Sequence, residues 1–448
     1  MVRNWKTGEP IEDTHELYQF EDAHEPYQWE DLILADQFGI MQTDWNDVLE
    51  RTAEHVRGWS EQGITGRISC MINLLMPRLQ TLWQGKEGKN GELSFCSFRW
   101  LPCRSLPGGT VADHALTASA IAYCLGYDNG FKSNVETLNH LRLSALTSTW
   151  EDDGLGEIYD AVWAGLSPIE GKADGDVLEY IVYAAKTVSS KRLSPYTIEQ
   201  FDKHPLKQQN SDQKQRVGLV LGGATKIKGY FLESAKLPEI RGASALLDRI
   251  NLQDIPALLG HQNPNDPQQA QRIRDNFWER TRHRLSAPEC IIYAAGGNTL
   301  AFTPASLVNE IADEIERIYT QETLIANSVA VGDTFDLLEL QYGLNPEQFW
   351  LAAFREACKN SNTLELIEGY YGGKKDKDFF NKKCFGELTT KLARAQLHRR
   401  EGNPTSDRTT QRDLPAHVEI GVYQQRCESC ERRPAIIPSP RFLCEACT

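Results

Sequence analysis

"RVGLVLGGATKIKGYFLESAKLPEIRGASALLDRIN" (Arg216–Asn251) decides how this chain folds. Its first ten residues, "RVGLVLGGAT", are a short β-rich run that closes in small, turn-forming residues. The later part, "YFLESAKLPEIRGASALLDRIN" (Tyr230–Asn251), has helical spacing, with Ile240, Ala243, Leu247 and Ile250 along one face. Pro238 suits a first helical turn. Yet this helix keeps Gly242, Ala243, Ser244 and Ala245 together, where Leu or Ile would bury more area. Taken alone, such small residues permit tight packing of a helix on a sheet. Gly222-Gly223 follows a strand, but neither G-x-x-x-x-G-K-[ST] nor G-x-G-x-x-G can be laid on it. Lys226, Lys228, Lys236 and Arg241 nonetheless cluster around the strand-to-helix passage. Backbone amides at a helix start, joined by these cations, suit a phosphate group.

Working outward, "CIIYAAGGNTLAFTP" (Cys290–Pro304) reads as two strands joined at Gly296-Gly297-Asn298, a tight hairpin that needs positive φ. "SLVNEIADEIERIYTQE" (Ser306–Glu322) is an amphipathic helix and "NSVAVGDTF" (Asn327–Phe335) a last strand. The order β-α-β-β-α-β predicts a ferredoxin-like domain over residues 211–335. "HQNPNDPQQAQRIRD" (His261–Asp275) interrupts it as a surface excursion. Residues 1–200 read as mostly helical. "DWNDVLERTAEHVRGWSEQG" (Asp44–Gly63) is one helix; "TVADHALTASAIAYCLGY" (Thr110–Tyr127) is another, closed at Gly126. A polar linker, "YTIEQFDKHPLKQQNSDQKQR" (Tyr196–Arg216), ends that part. Residues 336–448 return to helix and loop. The fold class expected is therefore α+β and multidomain: helical N-terminal domain, ferredoxin-like domain, and a mostly helical third part.

A chain of 448 residues exceeds what one core holds. Hydrophobic content of 40% with 25% charged residues is that of a soluble globular protein. No apolar run reaches bilayer-spanning length, and "MVRNWKTGEPIED" lacks the apolar stretch of a secretion signal. A cytoplasmic protein without a membrane partner is the expectation. The net charge of -14 is uneven: residues 1–50 hold 13 Asp/Glu against 2 Lys/Arg, while residues 371–400 hold 9 Lys/Arg against 3 Asp/Glu. Overall acidity thus leaves room for a polyanion partner, because attraction depends on a local basic face. A solvated helix face accounts for the same run.

Eleven cysteines are an odd number in a long chain. Seven are scattered and read as buried thiols of a reducing compartment. The other four form C-x2-C-x13-C-x2-C: Cys427, Cys430, Cys444 and Cys447. Two close pairs on tight turns present four thiolates to one tetrahedral ion, so structural Zn²⁺ is expected. Asp113-His114 is the one adjacent Asp/His pair in the chain. The two suit part of a metal-ligand set; a capped helix start with a packed His suits them as well. At the hairpin, Asn298 stands where palm-type nucleotidyl enzymes place a carboxylate, and a neutral amide is a poor ligand for Mg²⁺.

In this order the segments resemble the large subunit of type III CRISPR effector complexes, the signature subunit of the Csm and Cmr assemblies. The resemblance rests on "ATKIKGYFLESAKLPEIRGASALLDRIN" with "ECIIYAAGGNTLAF", then on "CESCERRPA…LCEAC", then on "VADHALTASAIA". It implies an HD-like helical domain with linker (1–210), a first palm (211–335), and a helical domain with a zinc-binding C-terminus (336–448). It implies a partnership with guide RNA, target RNA, and the backbone and small subunits. It also implies a first palm that forms half of an ATP-binding, cyclic-oligoadenylate-forming pair, with Mg²⁺ or Mn²⁺ when a second palm joins. Lys236, Arg241, Gly242, Ser244, Gly296, Gly297 and Asn298 would face the nucleotide, and small residues at Gly242 and Ser244 would let it, or the partner palm, approach the helix. Asp113 and His114 would be remnants of the nuclease site. The chain departs from the family in having neither a His-Asp dipeptide nor a Gly-Gly-Asp-Asp motif. The expectation is a split or partial subunit whose second palm lies elsewhere, with non-catalytic scaffold or zinc-containing nucleic-acid adaptor as the alternative.

Overall fold

The computed structural model describes residues 45–76, 110–150, 155–166, 175–189, 215–225, 227, 237–263, 266–324, 326–344, 387–400, 424–428, 434–436 and 442–444. The protein is α+β, with one antiparallel sheet among many helices in the described residues. Among the described residues no helix is long and apolar enough to cross a membrane. The chain divides into two units: Met1–Ser119, Asn134–Gln209 and Gln341–Lys383 in one; Ala120–Ser133, Asn210–Leu340 and Cys384–Thr448 in the other.

The described residues of the first unit are mainly helical. Its elements are α1 (Trp45–Arg57), α2 (Ile64–Leu75), the start of α3 (Val111–Asp128), α4 (Val135–Ser148), α5 (Gly156–Trp163) and α6 (Gly175–Ser189). Helical spacing places Val48, Thr52 and Val56 on the buried face of α1, which packs on α5. α2 packs on α4, and α4 on α6. Asn134 caps α4 by accepting from the Thr137 backbone N–H at 3.0 Å. Arg67 is fully buried, and its guanidinium donates to the Ser60, Gln62 and Val162 carbonyls at 2.9, 2.9 and 2.6 Å. Burial lowers its affinity for the proton, and the three carbonyls replace the water it loses.

The second unit is built on the sheet. Its strands are β1 (Arg216–Thr225), β2 (Ile291–Ala295), β3 (Asn298–Pro304) and β4 (Asn327–Asp336). Their order is β2-β3-β1-β4, every pair antiparallel, which is the split βαβ arrangement. α7 (Leu237–Arg249) and α8 (Pro267–Thr281) follow β1, and α9 (Val308–Thr323) joins β3 to β4. α9 covers one sheet face: a Cβ on Gly218 or Gly332 would lie 2.2 or 2.3 Å from Val308. The opposite face carries Val217, Leu219, Leu221, Val329, Val331 and Phe335, all buried. α10 (Glu387–Arg400) lies on that face over β1 and β4. Leu392 is buried there, Gln396 donates to the Val329 carbonyl at 3.1 Å, and Lys391 meets Asp333 at 2.5 Å.

Three expectations change. Gly222-Gly223 is no turn; both residues stay in β1, paired with Thr299 and Asn298 on one side and Ala330 and Val329 on the other. Gly126 does not close α3, which runs on to Asp128. The polar stretch at 261–275 contains most of α8, which buries Ala270, Ile273 and Phe277. Asp266 caps α8 by accepting from the Gln269 N–H at 3.0 Å, with Pro267 in its first turn.

Candidate functional site

The end of β1, the β2–β3 hairpin and α7 carry most of the residues singled out in the sequence. Gly296 and Gly297 have φ of 60° and 81°, and Ala295 pairs with Asn298. Positive φ at both central residues makes the two-residue turn whose twist matches the flanking strands. The Gly297 carbonyl accepts from the Ala224 N–H at 2.9 Å. A Cβ on Gly223 would sit 2.1 Å from that oxygen, so the hairpin reaches β1 only because residue 223 has no side chain. Asn298 opens β3 rather than sitting at the tip, and it is exposed. By strand alternation it shares the face turned away from α9 with Tyr293, which is 44% exposed. This hairpin supplies an amide, a phenol and backbone groups, and no carboxylate.

α7 stands apart from that hairpin in sequence and packs on α9 and on the turn that follows it. Leu247 and Ile250 are buried and account for its packing. Arg241 and Gly242 are exposed, Ser244 is half-buried, and among the described residues nothing beyond its own helix lies within 4 Å of where a Cβ on Gly242 would be. Close packing on the sheet therefore does not explain Gly242. Lys236, together with Lys226 and Lys228, lies outside the described residues.

After α7 the backbone widens into a π turn, Ile250–Asp254, a distortion often kept where geometry is needed. The buried Asn251 donates to the Leu247 carbonyl and accepts from the Tyr319 hydroxyl, each at 2.7 Å. Arg249 bonds Glu322 at 2.5 Å and Asp254 at 3.3 Å, while Gln269 donates to both carboxylates at 3.2 Å. Arg272 closes the set on Glu322 at 2.5 Å. Burial pushes the Asp254 carboxyl above its ordinary range, and Glu322 adds to that; Arg249 and the Gln269 bond oppose it without winning. The network anchors the end of α7 to α8 and α9. No local period marks it, because its members come from positions 249, 254, 269, 272 and 322. Tyr319 and Asn251 are likewise residues the sequence reading missed.

Asp113 and His114 do not converge. Asp113 accepts from the Thr110 N–H and hydroxyl, both at 2.9 Å, and so caps its own helix. His114 is buried with Nε2 3.4 Å from the Lys186 carbonyl. Among the described residues no group of three or more His, Cys, Asp or Glu is arranged to hold a metal ion. Cys427 and Cys444 are both buried and pack together with Leu443. The backbone joins their segments through Glu428 N–H to Phe442 and Ile436 N–H to Leu443, both at 2.8 Å. Cys430 and Cys447 lie outside the described residues. Of the basic run at 371–400, Lys391 is engaged by Asp333 and by the face of Phe335 at 5.2 Å.

The second half of α3 belongs to the sheet unit. Asp128 accepts from the Ala305 N–H at 2.6 Å and from Ser306, capping the turn that leads into α9. The Tyr127 hydroxyl lies 2.9 Å from His283 Nδ1, and Tyr123 accepts from the Ser286 N–H at 3.2 Å. Cys124 meets Cys290 in the same interface, and burial pushes its thiol well up. The chain matches no protein-family model, and no curated protein matches it in sequence.

Proposed function

We propose that this chain is a cytoplasmic subunit of a type III CRISPR RNA-guided interference complex, corresponding to the large subunit through its first palm and zinc-bearing segment. One observation carries the reading. A split-βαβ sheet over 216–336 combines a two-glycine hairpin with a helix, α7, whose small residues at Gly242 and Ser244 are left uncovered or only half-covered. Those are the parts that the resemblance requires of a first palm. In this reading Lys236 and Arg241 neutralise phosphate charge, and Gly242 lets the nucleotide come close to the helix. Ser244 donates a hydrogen bond, while Gly296, Gly297 and Asn298 border the site. The hairpin fits a catalytic Mg²⁺ or Mn²⁺ poorly, because it contains no carboxylate. This chain would bind and orient ATP, and a second palm would hold the metal.

Guide RNA, target RNA and the backbone and small subunits are the partners of this reading. Zn²⁺ would be held by Cys427, Cys430, Cys444 and Cys447, fastening the C-terminal segments to one another. The burial of Cys427 and Cys444 in one cluster supports that assignment. The helical unit is read as a non-cleaving scaffold, since Asp113 is occupied as a cap and His114 is buried away from it.

The test is a tagged pull-down from the native host, with the bound RNA sequenced and co-purifying chains identified. Repeat-derived guide RNA with backbone subunits is expected, together with a palm-bearing chain. Absence of both would overturn the assignment and favour a zinc-containing nucleic-acid adaptor. Given a second palm, Ser244→Leu is expected to abolish ATP binding; unchanged binding would return α7 to plain packing. Added Mn²⁺ or Ni²⁺ is expected to give no single-stranded DNA cleavage. Cleavage lost in Asp113→Ala would overturn the scaffold reading of the helical unit.

A further inference from the structure

α8 buries Ala270, Ile273 and Phe277. At 100° per residue, Arg274, Trp278 and Arg282 follow one another along the flank beside that stripe. The helix ends at Arg282 with φ of 61°, and the chain turns back so that the Arg284 guanidinium lies 5.2 Å from the Trp278 ring centre. Trp278 is 37% exposed and Arg284 64%. Few internal groups answer these charges. Arg274 donates to the His261 carbonyl and the Gln271 side chain, at 3.3 and 3.1 Å, and pairs with no carboxylate among the described residues. Arg282 forms no ion pair among them either. Asp275 lies 3.7 Å from Arg284 and also acts on Arg274. Burial lowers the proton affinity of Arg274, Asp275 raises it, and the nearby Arg284 lowers it again. A chain of net charge -14 that sets Arg284 against an exposed indole, with Arg274 and Arg282 four residues to either side of it in sequence, leaves a local site for an external polyanion.

We infer that this flank of α8, formed by Arg274, Trp278, Arg282 and Arg284, is a contact surface for single-stranded RNA. The arginines meet phosphates, and the indole offers its ring to an unstacked base, which a duplex keeps covered. The choice of RNA as polyanion rests on the function proposed above; the place rests on the α8 flank. Cations beyond a helix C-terminus also complement its dipole, and the experiment separates the two roles.

Fluorescence anisotropy of a labelled 20-nucleotide single-stranded RNA is measured with the full chain at two salt concentrations. Arg282→Glu/Arg284→Glu is expected to weaken binding by about tenfold or more and to flatten the log–log salt slope by about two. Trp278→Ala is expected to weaken binding several-fold, with Trp278→Phe retaining most of it. Thermal unfolding of each variant checks that it is folded. A lowered midpoint with unchanged RNA affinity assigns the arginines to the helix dipole and overturns the surface, while leaving the nucleic-acid reading standing. Failure of the wild-type chain to bind RNA overturns the surface too, whereas guide-RNA co-purification decides the larger reading independently. Equal competition by DNA of the same sequence overturns the choice of RNA.

Discussion

Gly223 and Gly242 are the same residue in opposite surroundings, and substitution should separate them. An Ala at 223 drives its Cβ into the Gly297 carbonyl, 2.1 Å away, where only backbone can yield. A loss of about 1–3 kcal/mol or more is expected. Among the described residues Gly242→Ala meets nothing beyond its own helix within 4 Å and removes a flexible residue from a helix, so up to about 1 kcal/mol should be gained. Urea unfolding midpoints of the two variants check both signs. Asp254 carries a second expectation. Because its folded-state pKa is raised, the folded chain keeps that proton after the unfolded chain has released it. Stability from this group is full below the ordinary carboxylate range and is lost as pH rises through the shifted value. Asp254→Asn should flatten that decline between about pH 4 and neutrality. Parallel thermal-unfolding profiles for variant and wild type would assign the decline to other groups. At this scale the sequence was a partial guide: it singled out Gly296-Gly297 as a turn, yet read Gly222-Gly223 as one too. What keeps the second pair extended is strand pairing on both sides, with Thr299 and Asn298 and with Ala330 and Val329, none of them local.

Elements are held by single polar side chains at their ends, and α9 shows it. Its entry turn is capped by Asp128 from α3 through the Ala305 and Ser306 N–H groups. Asp128→Ala should cost about 1 kcal/mol, within the range of about 0.5–2 for lost caps, and Asp128→Asn distinctly less. Denaturant titration reads the difference. Further along α9, Tyr319→Phe leaves the fully buried Asn251 side-chain oxygen without its donor. A loss of about 1–3 kcal/mol is expected from the same measurement. α9 was legible in the sequence because Val308, Ile311, Ile315, Ile318 and Tyr319 repeat at helical spacing. α8 was not, since its exposed polar residues outnumber the few apolar positions that face inward. The Asp266–Pro267 start was the signal that would have found it.

For the whole molecule, the four-cysteine proposal has a direct check. Native mass spectrometry should show one zinc per chain, and chelation should lower the unfolding temperature. A metal-free chain of unchanged stability would remove the ion from the account. The order of elements over 216–336 could be read in advance because strand alternation and helical spacing are properties of consecutive residues. Of the four cysteines that the spacing singles out, Cys427 and Cys444 pack in one buried cluster, and Cys430 and Cys447 lie outside the described residues. Asp113 and His114 were adjacent in sequence, and adjacency on a helix turns two side chains about 100° apart. Their separation into a cap and a buried ring follows. Local period thus determined, from sequence alone, which segments become strands and helices. Tertiary structure decided which sheet face α9 and α10 each cover, that α3 lends its second half to the sheet unit, and that Arg249, Asp254, Gln269, Arg272 and Glu322 form one network. The physical reason is that these outcomes depend on packing and desolvation between residues tens to hundreds of positions apart, which no local pattern encodes.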